Sequence, residues 1–155
     1  MKKTFKFMML AVGLLLAPAM VSCDDDNDDY WEETVDFLNL PSRAREFVGE
    51  FYPGAEVVRV EKDYDDGEVL YEVKFSNGHE VVFSSDGRWL EVEAPDGRSI
   101  PYGIVPPTIQ DFLDHYYYDY GVNEINKTGF GYEVELTTGL DLQFDRDGYF
   151  IGIDD

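Results

Sequence analysis

The sequence predicts an α+β fold made of two tandem copies of one unit, a helix followed by a four-stranded antiparallel sheet, with both helices packed on one face. Three observations predict it. An apolar stripe with helical spacing occurs twice, each time beside a proline. Runs that alternate apolar and charged residues follow each stripe in the same order. Turn dipeptides separate those runs at matching places.

The chain opens with a segment that is expected to be removed. Lys2, Lys3 and Lys6 precede the apolar stretch Phe7 to Ala17, the layout of a secretory signal over residues 1–22. That stretch is shorter than the ~20 apolar residues needed to span a bilayer. Met20-Val21-Ser22-Cys23 resembles a lipobox, with Met20 and Ser22 in place of the commoner Leu and Ala or Gly. Cys23 is the only cysteine in the chain, and lipid attachment accounts for an unpaired cysteine in an exported protein. The alternative is an ordinary secreted protein with a chance cysteine. Residues 23–36, beginning with the run Asp24-Asp25-Asp26-Asn27-Asp28-Asp29, read as a self-repelling, solvated tether. Cysteine followed by acidic residues resembles the export signal of surface lipoproteins in Bacteroidetes. The expected address is the outer membrane, facing the cell surface, with the periplasmic face as the alternative.

Charge narrows the partners. The chain carries 12 basic and 33 acidic side chains, a formal charge of −21. Loss of Lys2, Lys3 and Lys6 with the signal would leave about −24. Nucleic acid, which needs a basic footprint, is excluded on that ground, as is direct docking on anionic head groups. With 11 Tyr and 11 Phe, the remainder is rich enough in large apolar groups to fold, so residues 37–155 are read as one domain.

Repeat one spans 40–93. Leu40-Pro41 opens a helix with its apolar stripe at Ala44, Phe47, Val48 and Phe51, closed by Pro53. Val57, Val58 and Val60 mark a first strand. Tyr71-Glu72-Val73-Lys74-Phe75 alternates as a half-buried strand does. Asn77-Gly78 marks a hairpin, Val81-Val82-Phe83 the next strand, Asp86-Gly87 a turn, and Trp89-Leu90-Glu91-Val92 the last strand. Residues 94–104, with Pro95, Asp96-Gly97 and Pro101, form the linker. Repeat two, 105–154, runs through the same order. Val105-Pro106 opens a helix with its stripe at Ile109, Phe112, Leu113 and Tyr116, and Thr108 with Asp111 suggests a capping pair. Val122 and Ile125 follow, then Tyr132-Glu133-Val134-Glu135-Leu136, Thr138-Gly139, Leu142-Gln143-Phe144, Asp147-Gly148 and Phe150-Ile151-Gly152-Ile153. The offset is 65 residues early and 61 late, the difference falling in the first hairpin loop of each unit.

The unit resembles the PepSY-like domain, also called β-lactamase-inhibitor-like. The carrying residues are Leu40-Pro41, Tyr52-Pro53-Gly54-Ala55 and Phe83-Ser84-Ser85-Asp86-Gly87-Arg88-Trp89-Leu90-Glu91 in the first copy. In the second they are Val105-Pro106 and Phe144-Asp145-Arg146-Asp147-Gly148-Tyr149-Phe150. The second copy departs at Tyr118-Asp119-Tyr120, where the Pro-Gly turn is missing. The resemblance implies a tandem α+β fold, an exported non-enzymatic domain, and a concave sheet face that holds a partner. It transfers no inhibitory residue to this chain.

Catalytic chemistry is not visible. Neither His79 nor His115 has a second ligand at metal-binding spacing. Serines 84, 85 and 99 lack a nucleophile elbow, and no glycine-rich phosphate loop occurs. The carboxylate pair Glu133 and Glu135 reads as a solvated face. Calcium is the one ligand suggested, by Asp63-Tyr64-Asp65-Asp66-Gly67 and by Asp145-Arg146-Asp147-Gly148, with Asp145 and Asp147 as metal candidates. Neither run is closed by the glutamate of a complete calcium loop, and tight turns account for the same residues.

Strict alternation places Tyr71, Val73, Phe75, Val81, Phe83, Leu90, Val92, Tyr132, Val134, Leu136, Leu142, Phe144, Ile151 and Ile153 toward the helices. The opposite face then carries Arg59, Leu70, Glu72, Lys74, Val82, Trp89 and Glu91, with Glu124, Glu133, Glu135, Asp141, Gln143 and Phe150. Trp89 and Phe150 are expected to anchor a protein partner there, assisted by Val82, Arg59 and Lys74. The alternative for Trp89 is a cap on the sheet edge or packing beneath the linker. The reading from sequence is a non-catalytic, inhibitor-like binding module for a protein partner, with an envelope ligand or calcium sensor as the alternative.

Overall fold

A computed structural model of the chain describes residues 31–65 and 67–154. The signal segment, Cys23 and the acidic run lie outside the described residues. The elements are β1 (Trp31–Thr34), α1 (Ser42–Phe51), β2 (Val57–Asp65), β3 (Glu68–Phe75), β4 (Glu80–Ser84), β5 (Trp89–Glu93), α2 (Pro107–Tyr116), β6 (Val122–Lys127), β7 (Gly131–Leu136), β8 (Asp141–Asp145) and β9 (Phe150–Asp154). A short 3-10 turn at Phe37–Asn39 joins β1 to α1. All nine strands form one antiparallel sheet in chain order. The expected repeat is therefore present, and its two four-stranded sheets are fused through the β5–β6 pair.

One strand was not foreseen. Trp31–Thr34, assigned to the tether, pairs with β2 from Trp31 opposite Tyr64 to Thr34 opposite Glu61. The acidic surroundings of Glu32 and Glu33 concealed it, although an uncovered β2 edge is the kind of surface a chain tends to pair.

Both helices lie on one side because each presents a single apolar stripe. Ala44 and Val48 of α1, and Ile109 and Leu113 of α2, are buried. Below them a row of side chains crosses seven strands: Val60, Val73, Val81, Val92, Ile125, Val134 and Leu142, all buried. Phe47 meets Phe83 edge-on at 5.5 Å, and Phe112 meets Phe144 the same way at 5.4 Å.

Each helix starts from a proline. Pro41 and Pro106 occupy the N-cap positions without a side-chain cap, so the suggested Thr108–Asp111 box does not form; both residues lie within α2. The Asp-Gly turns pack closely against the starts of both helices. Gly87 has φ +80° and lies so close to α1 that a β-carbon would stand 2.9 Å from the Ala44 amide nitrogen. Gly148, with φ +85°, meets Thr108 and Ile109 of α2 in the same way. Glycine is required there for both backbone conformation and contact. The linker is held from below: the Asn123 side-chain amide, buried at a bulge in β6, reaches the carbonyl oxygens of Ala94, Pro95 and Arg98 at 2.9, 3.0 and 2.9 Å.

Candidate functional site

The sheet face away from the helices is the candidate site. The registers arrange its side chains in two rows that cross the strands. One row runs Arg59, Lys74, Glu80, Glu93, Glu124, Glu135, Asp141 and Asp154 from β2 to β9. Its last six members are consecutive carboxylates. Beside it runs Thr34, Glu61, Glu72, Val82, Glu91, Asn126, Glu133, Gln143 and Gly152. Neighbouring strands lie ~4.8 Å apart, so adjacent carboxylates in a row compete for the same water and repel one another.

Their protonation reflects this. Burial, followed by the charges of Glu124 and Glu93, pushes Glu91 up to about 7. Burial and then a hydrogen bond with Glu72 push Glu80 up to about 7. Glu93, Glu124, Glu133, Glu135 and Asp141 are all raised, burial first with neighbouring carboxylates adding to it, against a lowering hydrogen bond from Asn126 at Glu124. Burial, then Glu72 and Glu61, pushes Asp63 up to about 6. Asp63 is only 4% exposed, and its Oδ1 has no hydrogen-bond partner among the described residues.

The face's cations sit at one end and are engaged. The Arg59 guanidinium pairs with Glu61 at 2.5 Å and Glu32 at 3.2 Å. The Lys74 ammonium lies 3.3 Å from both Glu61 and Glu72. Burial alone would raise Glu61, but its hydrogen bond with Glu32 and the charges of Lys74 and Arg59 hold it below the usual range.

Arg59, Lys74 and Val82 are on this face as expected. Trp89 and Phe150 are not, and the cause is a β-bulge in each repeat. Val82 opposes Glu91, but Phe83 opposes Trp89, so Leu90 has no cross-strand partner. Gln143 opposes Gly152 and Phe144 opposes Phe150, so Ile151 is the extra residue. The bulge interrupts the alternation and sends both aromatics to the helix side. Phe150 stacks on Phe112 at 4.7 Å. Trp89 packs against the core, with the Lys127 ammonium 3.5 Å from its ring centre and donating to the Trp89 carbonyl at 2.9 Å. Burial and then Arg88 lower that ammonium to about 8. Leu90 and Ile151 are correspondingly absent from the buried core, and Ile153 is 49% exposed on the edge strand.

The metal candidates Asp145 and Asp147 belong to a turn. Asp145 Oδ1 accepts from the backbone N–H groups of Asp147 at 3.0 Å and Tyr149 at 2.8 Å. Asp63 and Asp65 lie within strand β2 rather than a loop. Among the described residues no three acidic, histidine or cysteine side chains converge as a metal cage. His115 is exposed on α2, against Tyr116. His79 is buried against Tyr52, and burial followed by Arg98 lowers its proton affinity. The continuity of the carboxylate row was missed by sequence reasoning. The hairpin turns carried its signal: Lys74 and Glu80 flank Asn77-Gly78, as Glu135 and Asp141 flank Thr138-Gly139.

Comparison with known proteins agrees with this geometry. The family described as "Putative beta-lactamase-inhibitor-like, PepSY-like" matches residues 69–152. Among solved structures, a "putative calcium-regulated periplasmic protein" of Bacteroides thetaiotaomicron is similar at 30% identity, TM-score 0.75, over 80% of this chain and 97% of that one. A periplasmic protein of unknown function from Bacteroides vulgatus is similar at 29% identity, TM-score 0.76, over 81% and 100%. A second one from that organism, of the DUF2874 family, shows 27% identity and TM-score 0.75 over 80% and 97%. No curated protein sequence matches the chain.

Proposed function

We propose that this chain, which belongs to the beta-lactamase-inhibitor-like, PepSY-like family, is a non-catalytic binding protein of the bacterial envelope whose open sheet face responds to calcium. The observation that carries the reading is the row of six carboxylates from Glu80 to Asp154, within which burial and neighbouring groups raise Glu80 to about 7 and also raise Glu93, Glu124, Glu135 and Asp141. Two carboxylates ~4.8 Å apart on neighbouring strands can share one ion whose oxygen contacts are about 2.3–2.6 Å. Such open bridging supports the millimolar-range affinity of extracellular calcium modules rather than the tight grip of a closed loop. The similar protein described as calcium-regulated supports the same choice of ion. Periplasmic relatives support an envelope address, and the proposed lipid on Cys23 would fix the domain to the outer membrane there. The test is calorimetric and thermal titration with Ca²⁺. Stabilisation at millimolar Ca²⁺, lost in Glu124→Gln/Glu135→Gln, is expected; no heat and no thermal shift up to ~10 mM would sink the reading.

A protein partner on the same face is the second reading, favoured by the charge. Any such partner has to be basic, because the anchors expected at Trp89 and Phe150 face the helices and the open face offers chiefly Val82 and Leu70 as apolar groups among carboxylates. Arg59 and Lys74 would set its orientation at one end. Retention of a lysine-rich partner only at low salt is the expected signature.

A further inference from the structure

The internal repeat specifies what fits the free edge of the sheet. Inside the chain, the last strand of repeat one pairs with the first strand of repeat two: Glu91 opposite Asn126, Val92 opposite Ile125, Glu93 opposite Glu124. Among the described residues no strand pairs with the outer edge of β9, the last strand of repeat two, and Phe150, Ile151 and Ile153 are 38%, 56% and 49% exposed. A strand fitting that edge would have the character of β6, and among the described residues its counterpart in the first repeat is β2.

We propose that β9 of one molecule pairs antiparallel with β2 of a second copy in the register of the β5–β6 seam, forming a head-to-tail array. Transferring that register gives three contacts. Asp154 falls opposite Arg59, an opposite-charge pair where the internal seam has Glu93 against Glu124. Ile153 falls opposite Val60, as Val92 lies opposite Ile125. Lys62, whose ammonium lies over Tyr64 at 4.8 Å within the chain, takes the place that Lys127 has over Trp89 and would turn from Tyr64 to Phe150. Gly152 falls opposite Glu61 and adds no carboxylate. Such an interface is heterologous, and repetition extends it rather than closing it.

The site on β2 is held by β1, a short cover. It has four residues. It sets Glu32 opposite Asp63, and Glu32 is raised by its hydrogen bond to Glu61, then by burial and the charges of Glu61 and Asp63. β9 of a second copy relieves that crowding and sets Asp154 at Arg59 in place of Glu32, its present partner at 3.2 Å. β1 is thus an intramolecular stand-in, and its departure exposes the edge.

The experiment is sedimentation velocity of the full chain in detergent over a concentration series, each variant checked by circular dichroism. Glu33→Pro removes an N–H from β1: Val35 donates to Val60 at 3.0 Å, and antiparallel alternation turns the N–H of Glu33 to β2 as well. This variant is expected to associate more strongly than the parent. Adding Asp154→Arg should weaken association about tenfold, and adding Arg59→Asp to that pair should restore it. Ile153→Lys, on the exposed edge, provides a second disruption that leaves β2 untouched. A Glu33→Pro chain that remains monomeric at every concentration overturns the proposal. So does association indifferent to Asp154→Arg and Ile153→Lys, which would mean another surface, or a failed charge-swap rescue, which would mean another strand register.

Discussion

Replacing Glu91 by Gln should stabilise the protein at alkaline pH and do so less as the pH falls. Glu91 lies at the middle of the sheet, with Val82 on one side and Asn126 on the other, and its pKa rises from 4.5 to about 7 in the fold, chiefly through burial. A raised carboxyl favours the protonated form in the folded state. That contribution is complete below the unfolded value of 4.5 and is lost as pH rises through about 7. Above it, the ionised group works against folding by up to about 3 kcal/mol, the free-energy equivalent of the gap between the two values. Glutamine keeps the shape and removes the charge. The expected gain is therefore about 2–3 kcal/mol at pH 8, on the order of 10 °C in Tm, and no more than about 1 kcal/mol at pH 5. Urea unfolding of parent and variant at both pH values measures it, with Glu50→Gln on the exposed side of α1 as the baseline. No gain at pH 8, or the same gain at pH 5, would refute burial and crowding as the cause.

Three further outcomes follow from the geometry. Gly87→Ala should cost about 2–4 kcal/mol in urea unfolding, since its β-carbon meets the start of α1, whereas Gly97→Ala, at φ +70° with open space around it, should cost only about 1 kcal/mol. Asn123→Ala should destabilise by about 2–3 kcal/mol and increase hydrogen exchange in the linker, because three carbonyls lose their donor. In a Trp31→Phe background the fluorescence of Trp89 should titrate with a midpoint near 8 as Lys127 loses its proton, and Lys127→Met should abolish that titration.

The fold was largely legible because each unit obeys simple periods. Ala44, Val48, Ile109 and Leu113 lie where a helical stripe places them, and the valines at 73, 81, 92 and 134 lie where alternation does. What sequence could not show was the break in that alternation. A bulge inserts one residue into a strand without any required residue type. The count from Val92 back to Trp89, and from Ile153 back to Phe150, is therefore off by one. β1 was hidden for a different reason: it is only four residues long, Trp-Glu-Glu-Thr does not alternate, and acidic residues flank it in sequence.

The same bulges explain why the site and the seam have opposite chemistry. Had Trp89 and Phe150 stayed in phase with Glu91, two large apolar groups would divide the carboxylate rows. Turned to the helix side, Trp89 instead lies beneath Lys127 at the junction of the repeats, while Phe150 takes the equivalent place on β9, whose outer edge no described strand covers. The open face is thus left mostly to polar and charged side chains, and Phe150 remains partly exposed on β9 although it stacks on Phe112. If Phe150 serves only to pack on Phe112, Phe150→Leu should change stability alone. If it also marks an unfinished seam, the variant should in addition lower the self-association of the Glu33→Pro chain, a difference that sedimentation resolves independently of unfolding.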